Sequence, residues 1–87
     1  MKSVEKSPLD NPDLAARKII EIANSVEAVQ DGRIYIEHVN EAFLAAAGGS
    51  GENFRAGIER AVARGWLWLH ESGTYVKFTE SGAALFA

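Results

Sequence analysis

The residues that could do chemistry in this 87-residue chain are few, and they favour recognition over reaction. His38 and His70 are far apart and have neither an HxxxH spacing nor a cysteine companion, so neither a metal centre nor a histidine-driven nucleophile is expected. The carboxylates are scattered over helical surfaces and form no acid–base pair. Gly48-Gly49-Ser50-Gly51 precedes a helical run, as a phosphate cradle would. No lysine follows in the P-loop position and no strand leads in, so a plain turn is expected. The chain therefore reads as a non-enzyme without metal or cofactor. What remains is the amide and guanidinium chemistry of Asn53, Arg55, Arg60 and Arg64 on one helix, and an aromatic group, Trp66, Trp68 and Tyr75, with Lys77.

The aromatic group lies in Gly65 to Gly82, GWLWLHESGTYVKFTESG, which begins where the helical run from Glu52 to Arg64 stops. Trp66 to Leu69 and Tyr75 to Thr79 are β-favouring, and Glu71-Ser72-Gly73-Thr74 between them offers a glycine for the turn. A two-residue loop at Ser72-Gly73 sets Leu69 opposite Val76 and Leu67 opposite Phe78, while Ser-Gly, a weaker turn signal than Asn-Gly, also allows a longer loop. One face of the ribbon is then aliphatic or phenyl. The other carries Trp66, Trp68, His70, Tyr75 and Lys77, and a one-residue slip would mix the two sets.

Several elements must hold these residues in place. Met1 to Asp10 lacks periodicity and reads as a flexible tail, leaving residues 11–87 as the single domain. Asn11 is a cap, Pro12 suits the first helical position, and Asp13 suits the positive end of the helix dipole. The following helix has Ala15, Ala16, Ile19, Ile20, Ile22, Ala23, Val26 and Val29 on one broad face and ends at Asp31-Gly32. Arg33 to Ile36 allows only a small strand. A second helix runs from about residue 36 to Ala47, with Val39, Phe43 and Ala47 as its stripe. Ser50 caps the third helix, whose inward face takes Phe54, Ile58, Ala61 and Val62, and Gly65 ends it in the left-handed conformation. Thr79 or Ser81 starts a short last helix anchored by Leu85 and Phe86. Phe54, Ile58, Leu67 and Phe78 are expected to be buried together.

Hydrophobic residues make up 47% of the chain, enough for one small core. The net charge is −3. Residues 1–49 hold five Lys/Arg against eight Asp/Glu, whereas residues 50–77 hold four against three. The second region is the least acidic, yet three or four cations can neutralise few phosphates. With no cysteine and no apolar run of signal or membrane-span length, a soluble cytoplasmic protein is expected.

Helix, short strand, helix, turn, helix, hairpin and short helix form an α+β order, and two stretches resemble a known family. Ile58-Glu59-Arg60-Ala61-Val62-Ala63-Arg64-Gly65-Trp66-Leu67 and Phe78-Thr79-Glu80-Ser81-Gly82 resemble the bacterial winged helix-turn-helix regulators, over roughly residues 13–87. The resemblance implies a three-helix core with a C-terminal hairpin wing. It also implies a DNA-binding regulator whose third helix, about 52–64, enters the major groove beside a wing at 66–79. The implied contacts are Asn53 to adenine edges, Arg55, Arg60 and Arg64 to guanine edges or phosphates, and Lys77 from the wing. The turn before the third helix is glycine-rich rather than Ser/Thr-rich, and the wing tip carries Glu71 without Arg or Lys. The alternative is a protein-interaction module, binding itself or a partner through Trp66, Trp68 and Tyr75, unless the tail or Leu85-Phe86 covers that face. So few cations imply that a DNA-competent form is a dimer, built through this face or through Ala83 to Ala87.

Overall fold

In the computed structural model, residues 8–26 and 32–86 are described. The first helix, α1 (Pro12–Ser25), starts as its sequence requires: the Asn11 side chain accepts the Asp13 N–H at 2.9 Å, and Pro12 occupies a position whose N–H would have no partner. It buries Ala15, Ala16, Ile19, Ile20 and Ala23. At Val26 the backbone turns extended, and the expected continuation through Val29 to Asp31 lies outside the described residues. Part of the expected tail is folded. Pro8–Asp10 form a 3-10 turn with Leu9 buried in the core, while residues 1–7 lie outside the described residues.

A two-residue strand, β1 (Ile34–Tyr35), leads directly into α2 (Ile36–Ala45), which buries Val39 and Phe43. Ala47, the expected third member of that stripe, follows the helix end and is partly buried against the core. Next, α3 (Gly51–Ala63) opens on a reciprocal capping box. Ser50 Oγ accepts the Asn53 N–H at 3.0 Å, and Asn53 Oδ1 accepts the Ser50 N–H at 3.1 Å. The helix closes on Gly65 at φ 76°, with Gly65 N–H donating to the Val62 carbonyl and Trp66 N–H to the Ala61 carbonyl, both at 2.9 Å. This pair of bonds satisfies carbonyls the helix leaves open, and only glycine takes that φ without strain.

The chain then forms β2 (Leu67–Leu69), β3 (Tyr75–Phe78) and α4 (Glu80–Ala84). The Thr79 hydroxyl accepts the Gly82 N–H at 3.0 Å and donates to the Gly65 carbonyl, so one side chain fastens the start of α4 to the end of α3. The described residues thus form an α+β domain of four helices and a three-stranded antiparallel sheet in the order β1-β3-β2. Leu67 pairs with Phe78 and Leu69 with Val76, the register expected from alternation. The two-residue loop does not form. His70 N–H still bonds to the Tyr75 carbonyl at 3.1 Å, and Gly73 N–H closes on the His70 carbonyl at 2.9 Å, giving a four-residue turn, Glu71 to Thr74. Ser72 Oγ draws the turn together by meeting His70 Nδ1 and Thr74 Oγ1, each at 2.8 Å.

The core lies between α1, α2, α3 and the sheet face that presents Ile34, Leu67 and Val76. Within it, Gly57 on α3 sits directly on α1. A Cβ added there would come within 2.5 Å of Ile19 Cδ1 and 2.9 Å of Ala15 Cβ. Four expected positions need correction. Val62 is 38% exposed, because the inward stripe runs through Phe54, Gly57, Ile58 and Ala61 and leaves it on the flank. Phe78 is only partly buried, as it ends its strand and is met by Phe86 at 5.9 Å in an edge contact. Leu85 and Phe86 remain largely exposed, so they anchor α4 weakly.

Candidate functional site

Three of the four polar residues expected to face a ligand from α3 are engaged within the domain. The Asn53 amide completes the capping box and also donates to Asp10 Oδ1 at 3.0 Å. Arg60 Nη1 and Arg64 Nη2 converge on one oxygen of Asp13, at 2.7 and 2.9 Å. Sequence reading assigned Asp13 to the helix dipole alone, but it also pairs with the two guanidiniums that α3 brings across to α1. Arg55 is exposed and, among the described residues, has no hydrogen bond or ion pair. Glu52 and Glu59 share the exposed surface of the helix with it. Beside this surface, a recess of about 640 Å³ is lined by Asp10, Asp13 and Arg60 among others.

The hydrogen bond from Arg60, then that from Arg64, hold the Asp13 carboxyl below the ordinary carboxylate value. A lowered folded pKa means that the tie between α1 and α3 contributes stability above the ordinary carboxylate range. That contribution is lost as pH falls through the lower folded value. An NMR titration of the Asp13 carboxyl carbon should therefore give a lower midpoint in the native chain than in the Arg60→Ala, Arg64→Ala double variant. Equal midpoints would dismiss the guanidiniums as the cause.

The second group of candidates is assembled on the outer face of the sheet. Strand alternation sends Ile34, Leu67 and Val76 inward, so Tyr35, Trp68, Tyr75 and Lys77 point outward, joined by His70 beyond the end of β2. His70 stacks on Tyr75 with ring centroids 4.6 Å apart and planes at 17°. Trp68 meets His70 at 5.7 Å and Tyr75 at 6.1 Å, and Tyr35 meets Tyr75 edge-on at 6.1 Å. Cations overhang both ends: Lys77 Nζ lies 5.9 Å from the Trp68 ring centre, and the Arg33 guanidinium lies 5.2 Å from that of Tyr75. Trp68 is 48% exposed.

Trp66 does not join this strip. It precedes β2, packs against the core and lies beneath the guanidiniums of Arg17 and Arg64, each 5.6 Å from its ring centre. The expected cover is also elsewhere, since Phe86 packs on Phe78, an inward-facing position, and lines a recess with Arg17 and Ile20. Sequence reading missed Tyr35 and Arg33, which join the strip because β1 pairs with β3, Ile34 opposite Val76 and Tyr35 opposite Tyr75. The alternating Arg33-Ile34-Tyr35 pattern was the available signal, but it does not name a partner strand. Past Tyr35 the strip opens into a recess of about 600 Å³ between the first turn of α2 and the hairpin turn, lined by Ile36, Glu37, Asn40 and Thr74 among others. No group of His, Cys, Asp and Glu among the described residues could hold a metal ion. No helix of the described residues is long and apolar enough to cross a membrane. No family model, curated protein or solved structure matches this chain.

Proposed function

We propose that this domain is a winged-helix interaction module that binds a protein through the outer face of its sheet. The carrying observation is the continuous strip of Tyr35, Tyr75, His70 and Trp68 with Arg33 and Lys77 over its rings. Aromatic and arginine side chains clustered on an accessible face are the composition of interface hot spots, and monomers seldom expose such patches without use. The winged-helix reading draws on the element order and on a sheet whose C-terminal hairpin pairs with a short strand before α2. The engagement of Asn53, Arg60 and Arg64 within the domain weighs against α3 as a groove reader.

Duplex DNA binding through α3 is the second reading, favoured by exposed Arg55 near its N-terminal end. The two are separated by offering the chain a random-sequence duplex and, separately, a pool of random ten-residue peptides. Peptides should be retained by the native chain and by Arg55→Glu, and lost with Trp68→Glu. Duplex binding should be weak, with a salt slope of about −1, as one unpaired cation on α3 implies. Tight duplex binding that Arg55→Glu abolishes would replace the interaction module with a DNA-binding domain.

Asp13→Ala gives a further expected result. Freeing Arg60 and Arg64 should strengthen duplex binding and steepen the salt slope by about 1.8, from two added phosphate contacts. An unchanged slope would show that these cations do not reach a phosphate even when released.

A further inference from the structure

We infer that the outer sheet face docks an extended acidic segment of a partner protein, with an apolar side chain of that segment seated on Trp68. This rests on the interaction module proposed above and specifies its ligand. Charge is the first reason. The permanent charges over the strip, Arg33 and Lys77, are both cations, and among the described residues neither is in an ion pair. None of the strip's own residues is a carboxylate; Glu37 borders the recess at its far end, and Glu71 stands in the exposed turn after His70. The chain as a whole is acidic, at −3, so this face differs in sign from the molecule that carries it. A carboxylate arriving here meets a cation already stripped of part of its water by the ring beneath it.

Unsatisfied polar atoms are the second reason. Among the described residues, two side-chain atoms are shielded from water without a hydrogen-bond partner, Arg33 Nε and Asn40 Oδ1. Arg33 overhangs Tyr75, and Asn40 lines the recess that Tyr35 opens into, so they bracket the tyrosine end of the strip. One is a donor and the other an acceptor. An extended peptide carries both complements in its backbone, as C=O and N–H, and small side-chain rotations would bring each within reach.

The same geometry disfavours two other occupants. A second copy joined face to face about a two-fold axis would bring the Arg33 and Lys77 cations of one strip against those of the other. A nucleic-acid strand needs open ring faces for its bases, whereas Tyr75 already carries His70 and Arg33. Its phosphates also offer no donor to Asn40 Oδ1.

The test selects peptides from a phage-displayed random decapeptide library on the full chain. Recovered peptides are then synthesised and titrated by anisotropy beside dT10, dA10 and a light-scattering mass measurement. The expected sequences combine Asp or Glu with Leu, Phe or Trp. Arg33→Ala and Lys77→Ala should each weaken an acidic peptide about threefold to fivefold, the range of a solvent-exposed ion pair. The Arg33→Glu, Lys77→Glu pair should reverse the selection toward Lys and Arg. Trp68→Glu should abolish retention while far-UV circular dichroism stays native, and the charge-reversal pair decides the outcome if that variant does not fold.

Basic or uncharged peptides that still depend on Trp68 would overturn the acidic ligand and leave the face as the binding surface. A dimer lost with Trp68→Glu does the same, whereas dT10 or dA10 binding more tightly than any peptide would overturn the protein-binding module as well. No retention, or retention indifferent to Trp68, would overturn both the ligand and the interaction module.

Discussion

Phe43→Ala is expected to lower the unfolding free energy by about 3–5 kcal/mol, the range for a buried phenyl removed without collapse of the cavity. Phe43 is the largest fully buried side chain among the described residues, at 0% exposure. It packs on Phe54 with ring centroids 5.4 Å apart and is roofed by Gly49, whose own N–H bonds to the Phe43 carbonyl at 3.2 Å. Gly49 approaches the ring so closely that a Cβ there would overlap it, so the ring has neighbours on several sides and its loss leaves them without contacts. A small domain commonly has about 5–15 kcal/mol of stability, so the substitution should move the denaturant midpoint severely. Urea unfolding with an unchanged m-value measures it. Phe78→Ala should cost clearly less, because Phe78 is only partly buried. Equal losses at the two positions would mean that the core is centred nearer the sheet end than the burial pattern indicates.

Gly57→Val is the second large effect, with an expected loss of about 3 kcal/mol from overpacking. The glycine sits where α3 rests on the backbone and side chains of α1 at Ala15 and Ile19. Two methyl groups there require the helices to separate, and the separation would also stretch the Asp13 contacts with Arg60 and Arg64. Gly57→Ala should cost less, since the helix gains about 1 kcal/mol of propensity when glycine is replaced. The order native, then alanine, then valine in thermal midpoint is the expected outcome. A valine variant as stable as the native chain would show that the contact between α1 and α3 is loose.

The parts of the fold written in neighbouring residues were legible. Asn11-Pro12-Asp13, Ser50 and Gly65 each mark a helix end by local hydrogen-bonding or conformational preference, and alternation alone orders Leu67 and Leu69 against Phe78 and Val76. The parts written between distant residues were not. Periodicity identifies the flank of α3 that carries Arg60 and Arg64, but not that α1 brings Asp13 beneath them. Val62 was misplaced because glycine registers as neutral in an apolar pattern, so the contribution of Gly57 to the inward stripe went uncounted. Trp66 was grouped with Trp68 by parity, yet the chain is still leaving α3 at that point and the ring turns toward Arg17 and Arg64 instead. Of the candidate site, Trp68, Tyr75 and Lys77 were legible as one ribbon face. Tyr35 and Arg33 were not, since a two-residue strand has too few positions to declare its partner.

The sheet order has a consequence for the birth of the molecule. β3 is the central strand, and it follows β1, α2, α3 and β2 in the chain. During synthesis β1 and β2 emerge first, and until β3 follows, neither has its native neighbour. The aromatic strip, which spans all three, cannot exist on a nascent chain that stops before Tyr75, whereas α1, α2 and α3 can already pack on one another. Ribosome-stalled chains ending before and after Phe78 should therefore differ in aromatic-face accessibility while sharing the helical core. The outer aromatic face of the sheet is thus completed only after the helical core can already have formed.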